Sequence, residues 1–172
     1  IIGNGLPVHT GGFTNNFAYA GFDLSVFFQW SYGNDILNAN RLWFESSWNK
    51  SRDLNQFASY ADRWTPENPT SDIPRATASA SNKVFSSRII EDGSFLRLKT
   101  VTLGYTLPKA IVTRLHIDNL RVYFAAQNLF TITSYSGYDP EVSIRNNALT
   151  PGLDFSAYPR ARQFSFGVHL GF

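Results

Sequence analysis

The chain contains no cysteine, which excludes a disulfide framework and any zinc or iron–sulfur site held by thiolates. Methionine is also missing, and the opening Ile1-Ile2-Gly3-Asn4-Gly5 lacks the charged start, apolar run and small-residue cleavage site of a signal peptide. The sequence reads as a piece of a longer chain. Charge is scarce: Asp, Glu, Lys and Arg make up 16%, against about 25% in ordinary soluble domains. The net charge is +2 and no run of Lys or Arg builds a basic footprint, so nucleic acid is excluded as a partner. No stretch approaches the ~20 consecutive apolar residues of a membrane-spanning helix. Any crossing of a membrane must therefore use strands.

Aromatic residues are what the chain has in abundance, 15 Phe, 8 Tyr and 4 Trp among 172 residues, within a hydrophobic share of 43%. A chain this apolar and weakly charged has to bury or coat its apolar surface, which excludes intrinsic disorder. The mean hydropathy of -0.20 is compatible with barrel strands, because these alternate polar and apolar positions.

Alternation is clearest from Phe22 to Tyr32, where Phe22, Leu24, Val26, Phe28, Trp30 and Tyr32 interleave with Asp23, Ser25, Phe27, Gln29 and Ser31. A period of two separates these sets onto opposite faces only in a strand. Its 11 residues match a tilted membrane-crossing strand. Phe13 to Tyr19 reads as a shorter partner joined by a tight Ala20-Gly21 turn. From Phe95 to Tyr105 the apolar set changes parity between Leu96/Leu98 and Val101/Leu103/Tyr105, which predicts a β-bulge near Lys99 and Thr100. Pro108 ends that strand. Leu120, Val122, Phe124 and Ala126 alternate again, as do Phe164, Phe166, Val168, Leu170 and Phe172.

The expected fold class is all-β: about five strands of an antiparallel transmembrane barrel, residues 1–172 forming one segment without internal repeat or domain boundary. Connections alternate short (Ala20-Gly21, Leu107 to Asn119) and long (Gly33 to about Ser87, about Ile132 to Pro159), as in outer-membrane barrels. In the first long loop, Asp53 with Gln56 three residues later predicts a capped helix with Leu54, Phe57, Ala58 and Ala61 on one face. Trp64-Thr65-Pro66-Glu67-Asn68-Pro69 is expected to be extended, and Ala76 to Asn82 is a small-residue tract. Five strands cannot close a barrel, and open edges in lipid leave amides and carbonyls unpaired, so further strands must come from elsewhere. A soluble carbohydrate-binding β-sandwich alternates too and is the competing architecture.

Specific motifs add to this pattern. Ile90-Glu91-Asp92-Gly93-Ser94-Phe95-Leu96-Arg97-Leu98-Lys99 with Leu103-Gly104-Tyr105, then Gln127-Asn128-Leu129-Phe130-Thr131, Tyr135-Ser136-Gly137-Tyr138-Asp139-Pro140-Glu141 and Tyr158-Pro159-Arg160 ahead of a strand ending in Phe172 resemble, in order, the SusC/RagA family of TonB-dependent outer-membrane transporters. The resemblance runs from about Gly12 onward. It implies a barrel of about 22 strands, of which these look like the last five, with a plug and a TonB-contacting segment outside this chain. It also implies a SusD-like surface lipoprotein, the TonB complex, the barrel-assembly machinery and outer-membrane lipids as partners. A glycan or peptide is imported without chemical change, so no enzyme activity and no cofactor are expected. The same motifs argue against a siderophore or cobalamin transporter.

Within that frame Trp43, Phe44, Trp48, Tyr60, Trp64 and Tyr138 are loop aromatics that would stack on a sugar or pack the loops and a partner. Arg97, Lys99, Arg121, Tyr123 and Gln127 fall on the face away from lipid. Phe164, Phe166, Val168, Leu170 and Phe172 match a carboxyl-terminal assembly signal. Asp139 and Glu141 read as a turn rather than a carboxylate pair. His9, His116 and His169 have no metal-ligand spacing, so no metal is assigned, and no GxSxG elbow supports a hydrolase.

Overall fold

A computed structural model of the chain describes residues 1–47, 55–77, 85–141, 143 and 150–172. Strands form where the period-two runs lie. In chain order they are β1 (His9–Tyr19), β2 (Phe22–Tyr32), β3 (Asp35–Asn38), β4 (Ile90–Asp92), β5 (Phe95–Thr106), β6 (Asn119–Thr133), β7 (Leu153–Asp154) and β8 (Gln163–Gly171). Two short helices, α1 (Ala39–Phe44) and α2 (Lys109–Val112), accompany them. The chain divides into two units: residues 9–32, 95–133 and 160–172 form one, and residues 1–8, 33–94 and 134–159 the other.

The first unit is a five-stranded antiparallel sheet in the order β1-β2-β5-β6-β8. Its register carries one apolar row straight across: Phe17 pairs with Leu24, Leu24 with Leu103, Leu103 with Phe124 and Phe124 with Phe166. The parity change in β5 is absorbed as expected. Phe27 pairs with Thr100 while Phe28 pairs with Leu98, leaving Lys99 as the extra residue. Leu96 and Leu98 thereby return to the face of Val101 and Leu103. The matching irregularity in β6 sits at Asn128, whose φ of 51° is left-handed and whose Nδ2 donates to the Ala161 carbonyl at 3.0 Å.

Tyr19 and Phe22 pair around a two-residue turn in which Ala20 and Gly21 both have positive φ, the turn that matches the right-handed twist of a hairpin. The connection after β5 folds into α2, entered through Pro108, which has no N–H to lose at a helix start. The structure lengthens several expected strands. β1 begins at His9 rather than Phe13, and β6 spans Asn119–Thr133, so Ile132 lies in the strand and not in the loop. Among the described residues neither β1 nor β8 has a second partner, and the sheet is open.

The second unit gives the long connections a core of their own. β3 lies between β4, antiparallel, and β7, parallel, and Ile36, Leu42, Ile73 and Ile89 are buried. Asn4 joins this sheet through reciprocal 2.7 Å bonds with Asp35. Two local expectations are corrected. The helix expected from Asp53 is a 3-10 turn at Ala58–Asp62 without a side-chain cap; Gln56 donates instead to the Ser46 carbonyl at 2.8 Å, while Asp53 and Leu54 lie outside the described residues. The Trp64–Pro69 stretch is not extended: Thr65 and Asn68 exchange backbone bonds across a tight turn around Pro66. Most of the tract from Ala76 to Asn82 lies outside the described residues.

Candidate functional site

In the loop unit, chemistry gathers around two carboxylates, Glu45, which is buried, and Glu91, which is half-buried. Glu45 is 3% exposed and accepts bonds from Arg41 Nε at 3.0 Å, Arg88 Nη1 at 2.6 Å and Ser59 Oγ at 2.7 Å. Buried charge persists only when so compensated. Glu91 accepts from the Ser136 amide at 2.8 Å, the Ser136 hydroxyl at 2.9 Å and Asn38 Nδ2 at 3.1 Å. Burial pushes the Glu91 carboxyl upward, but these three donors, with Arg41, hold it below its ordinary value. Tyr135 donates to Asp154 at 2.6 Å; burial, and then that acceptor, raise its phenol far above the ordinary range. Together these contacts tie α1, β4, β7 and the segment after β6 into one body.

Two cavities border this network and share Asn40, Phe57 and Tyr138. The larger, about 460 Å³, adds Asn38, Arg41, Glu45, Ser59 and Ser136; the other, about 350 Å³, adds Phe44, Gln56 and the Ser156–Pro159 turn. Asn40 Oδ1 accepts the Ser156 amide at 2.7 Å and fixes that turn.

Of the expected loop aromatics that are described, Tyr138, 83% exposed, lines both cavities and Phe44 lines the smaller one. Trp43 packs on Phe155 with centroids 5.6 Å apart. Tyr60 is buried, so its ring serves loop packing and is withdrawn as a ligand platform. Trp64 lies at the surface, its amide bonded to the Ile73 carbonyl at 2.8 Å, and Trp48 falls outside the described residues. Asp139 accepts the Glu141 amide at 2.9 Å, an Asx turn as read from the sequence. Sequence reading missed Asn38, Asn40, Phe57 and Ser136; the dense Asn34, Asn38, Asn40 spacing was the one available signal.

On the sheet's polar face Arg121 grips Asp23 with two bonds, Nε–Oδ1 3.1 Å and Nη2–Oδ2 2.5 Å. The pair spans β5 at Gly104, where a Cβ would strike both partners. Tyr123 lies over Gly167 in the same manner. Arg97 is buried on this face, its guanidinium 5.6 Å from the Phe95 ring centre, and Lys99 occupies the bulge. Gln127 pairs with Thr100 and Gln163. The opposite face is apolar and open, with Phe13, Phe17, Val122, Phe164, Phe166, Val168 and Leu170 all exposed. His9 accepts the Trp30 indole N–H at 3.2 Å, and His116 caps a helical turn with φ of 56°. Among the described residues no three His, Asp or Glu could hold a metal ion, and no helix is long and apolar enough to cross a membrane.

No family model matches the chain, but individual proteins do. TonB-dependent receptor P3 of Formosa agariphila is 37% identical across the whole chain, and receptor P26 of the same organism 36%. SusC of Bacteroides thetaiotaomicron is 37% identical over 95 residues, 55% of the chain. A solved structure of the RagAB peptide importer in its closed-closed state superposes on the entire chain with a TM-score of 0.82 at 30% identity. The chain belongs to the SusC/RagA family of TonB-dependent receptors. It spans less than a fifth of the SusC/RagA-type chains it matches, 17% of receptor P3 and 18% of the RagAB chain. The open-open RagAB structure matches 97% of the chain with a TM-score of 0.80.

Proposed function

We propose that this chain is the carboxyl-terminal wall and outer-loop segment of a SusC-like importer in the outer membrane of a Gram-negative bacterium. The importer takes up a glycan or peptide delivered by a SusD-like lipoprotein and is driven by TonB acting on a plug outside this chain. The observation that carries this reading is the face of Phe13, Phe17, Phe166 and Val168. A five-strand apolar surface left open to this extent far exceeds the scattered apolar residues of a soluble monomer and suits acyl chains. In this reading both long connections face outward, Trp30 and Tyr32 mark the outer rim, and Tyr105 and Phe172 the inner one.

The test is a pair of arginine substitutions in the full-length protein. Val168→Arg on the apolar face should cost about 2–4 kcal/mol and deplete the protein from the outer membrane, while Ser165→Arg on the polar face should be tolerated; equal tolerance would sink the membrane assignment. The same reading makes Phe172, with Phe164, Phe166, Val168 and Leu170, the segment read by the assembly machinery. Deleting Phe172 should lower outer-membrane abundance, and an unchanged level of heat-modifiable protein would refute that role.

A further inference from the structure

Asn followed by Gly occurs once in the sequence, at Asn4-Gly5, and Asp followed by Gly once, at Asp92-Gly93. At such pairs the glycine nitrogen, with no side chain beside it, is free to attack the preceding side-chain carbonyl and close a five-membered imide. Both pairs lie in the loop unit, and both form Asx turns. The Leu6 amide donates to Asn4 Oδ1 at 3.1 Å, and the Ser94 amide to Asp92 Oδ1 at 2.8 Å. They differ at the nitrogen that would attack. The Gly93 amide donates to the Asn34 carbonyl at 2.7 Å, and Asp92 Oδ2 accepts the Ser134 hydroxyl at 3.1 Å, so that pair is held on both sides. Among the described residues neither the Gly5 amide nor Asn4 Nδ2 has a hydrogen-bond partner, and Asn4 is exposed to water.

We propose that Asn4-Gly5 is a self-modification site, at which the folded chain converts Asn4 to aspartate and its β-linked isomer and so loosens the segment before β1 from β3. The Gly5 nitrogen gives its proton to water or hydroxide and bonds to Asn4 Cγ. Negative charge passes to Oδ1, where the Leu6 N–H already donates and stabilises it as an oxyanion donor does. Collapse breaks the Cγ–Nδ2 bond; Nδ2 takes a proton from water and leaves as ammonia. A second water opens the imide at either carbonyl. Before the reaction the Asn4 amide donates to Asp35 Oδ2 and the Asn4 carbonyl accepts the Asp35 amide, both at 2.7 Å. Opening to the β-linked product adds a methylene to the main chain at this point. It also turns the carbonyl that receives the Asp35 amide into a carboxylate beside the Asp35 carboxylate, a repulsive contact. Opening to aspartate places the same new charge on the side chain.

Full-length protein in detergent should be aged in mildly alkaline buffer, folded and in denaturant, and both Asx-Gly pairs followed by peptide mapping that separates the β-linked isomer. In the folded protein Asn4 should convert at least as fast as in denaturant, while Asp92-Gly93 should isomerise more slowly than in denaturant. Slower conversion of Asn4 in the folded state, or the same protection at both pairs, would overturn the proposal. Leu6→Pro removes the donor to Oδ1 and should slow Asn4 conversion about tenfold, the worth of one hydrogen bond, in protein that keeps its heat-modifiable barrel; an unchanged rate would overturn the role of that amide. Limited proteolysis then reads the consequence. Cleavage within residues 1–8 should rise on ageing in the natural chain and stay constant in Asn4→Gln, whose longer side chain closes no five-membered ring. Equal cleavage of aged and fresh natural chain would overturn the loosening.

Discussion

At the scale of single residues, the sheet's polar face is built around positions where a side chain is missing. Gly104 lets the Asp23–Arg121 pair pass over β5, and Gly167 receives the Tyr123 ring. Gly104→Ala would bring a methyl group to 2.5 and 2.6 Å from the two Asp23 carboxylate oxygens, closer than packed atoms tolerate. Overpacking of this kind should destabilise by about 1–3 kcal/mol. The check is the temperature at which full-length protein loses its compact band on an electrophoresis gel, which should fall in the variant; an unchanged value would mean the pair relocates freely. Glycine at 104 and 167 was visible in the sequence. Its reason was not, because the space at Gly104 is needed by two side chains, Asp23 and Arg121, that lie 98 residues apart in the chain.

At the scale of elements, the β5 bulge decides which side chains face which way. Removing Lys99 would leave a regular strand, and a shift of one residue exchanges the two faces. Arg97 would then take the apolar side and Leu96 and Leu98 the polar one, against the rows of β2 and β6. Full-length protein lacking Lys99 should fail to accumulate in the outer membrane, whereas Lys99→Ala, which keeps the extra residue, should accumulate normally. Equal accumulation of both would show that the bulge does not set the facing. This feature was legible in advance, since the parity change of the apolar residues is local information. The expected helix at Asp53 was not a safe reading, because Phe57 is held by Phe44, whose ring centre is 5.2 Å away, and the Phe57 amide bonds to the Phe44 carbonyl at 3.0 Å.

At the scale of the whole molecule, an open sheet with one apolar face is incomplete in water. The 172-residue chain expressed alone should sediment as aggregates in detergent-free buffer. A monodisperse monomer there would favour the carbohydrate-binding β-sandwich instead. Full-length protein should need detergent or lipid for the same reason, since about 25 cal/mol is lost for every Å² of apolar surface held against water.

The sequence by itself determined the five strands, their facing, the tight turn at Ala20-Gly21 and the bulge, because a period of two is a local property of the backbone that neighbouring residues either obey or break. Only the tertiary structure decided that the long connections carry a core and a cavity. There Asn38 meets Ser136 across 98 residues and Glu45 meets Arg88 across 43. Such contacts follow no period along the chain; burial selects them, by requiring each enclosed charge and amide to find its partner wherever the fold brings one near.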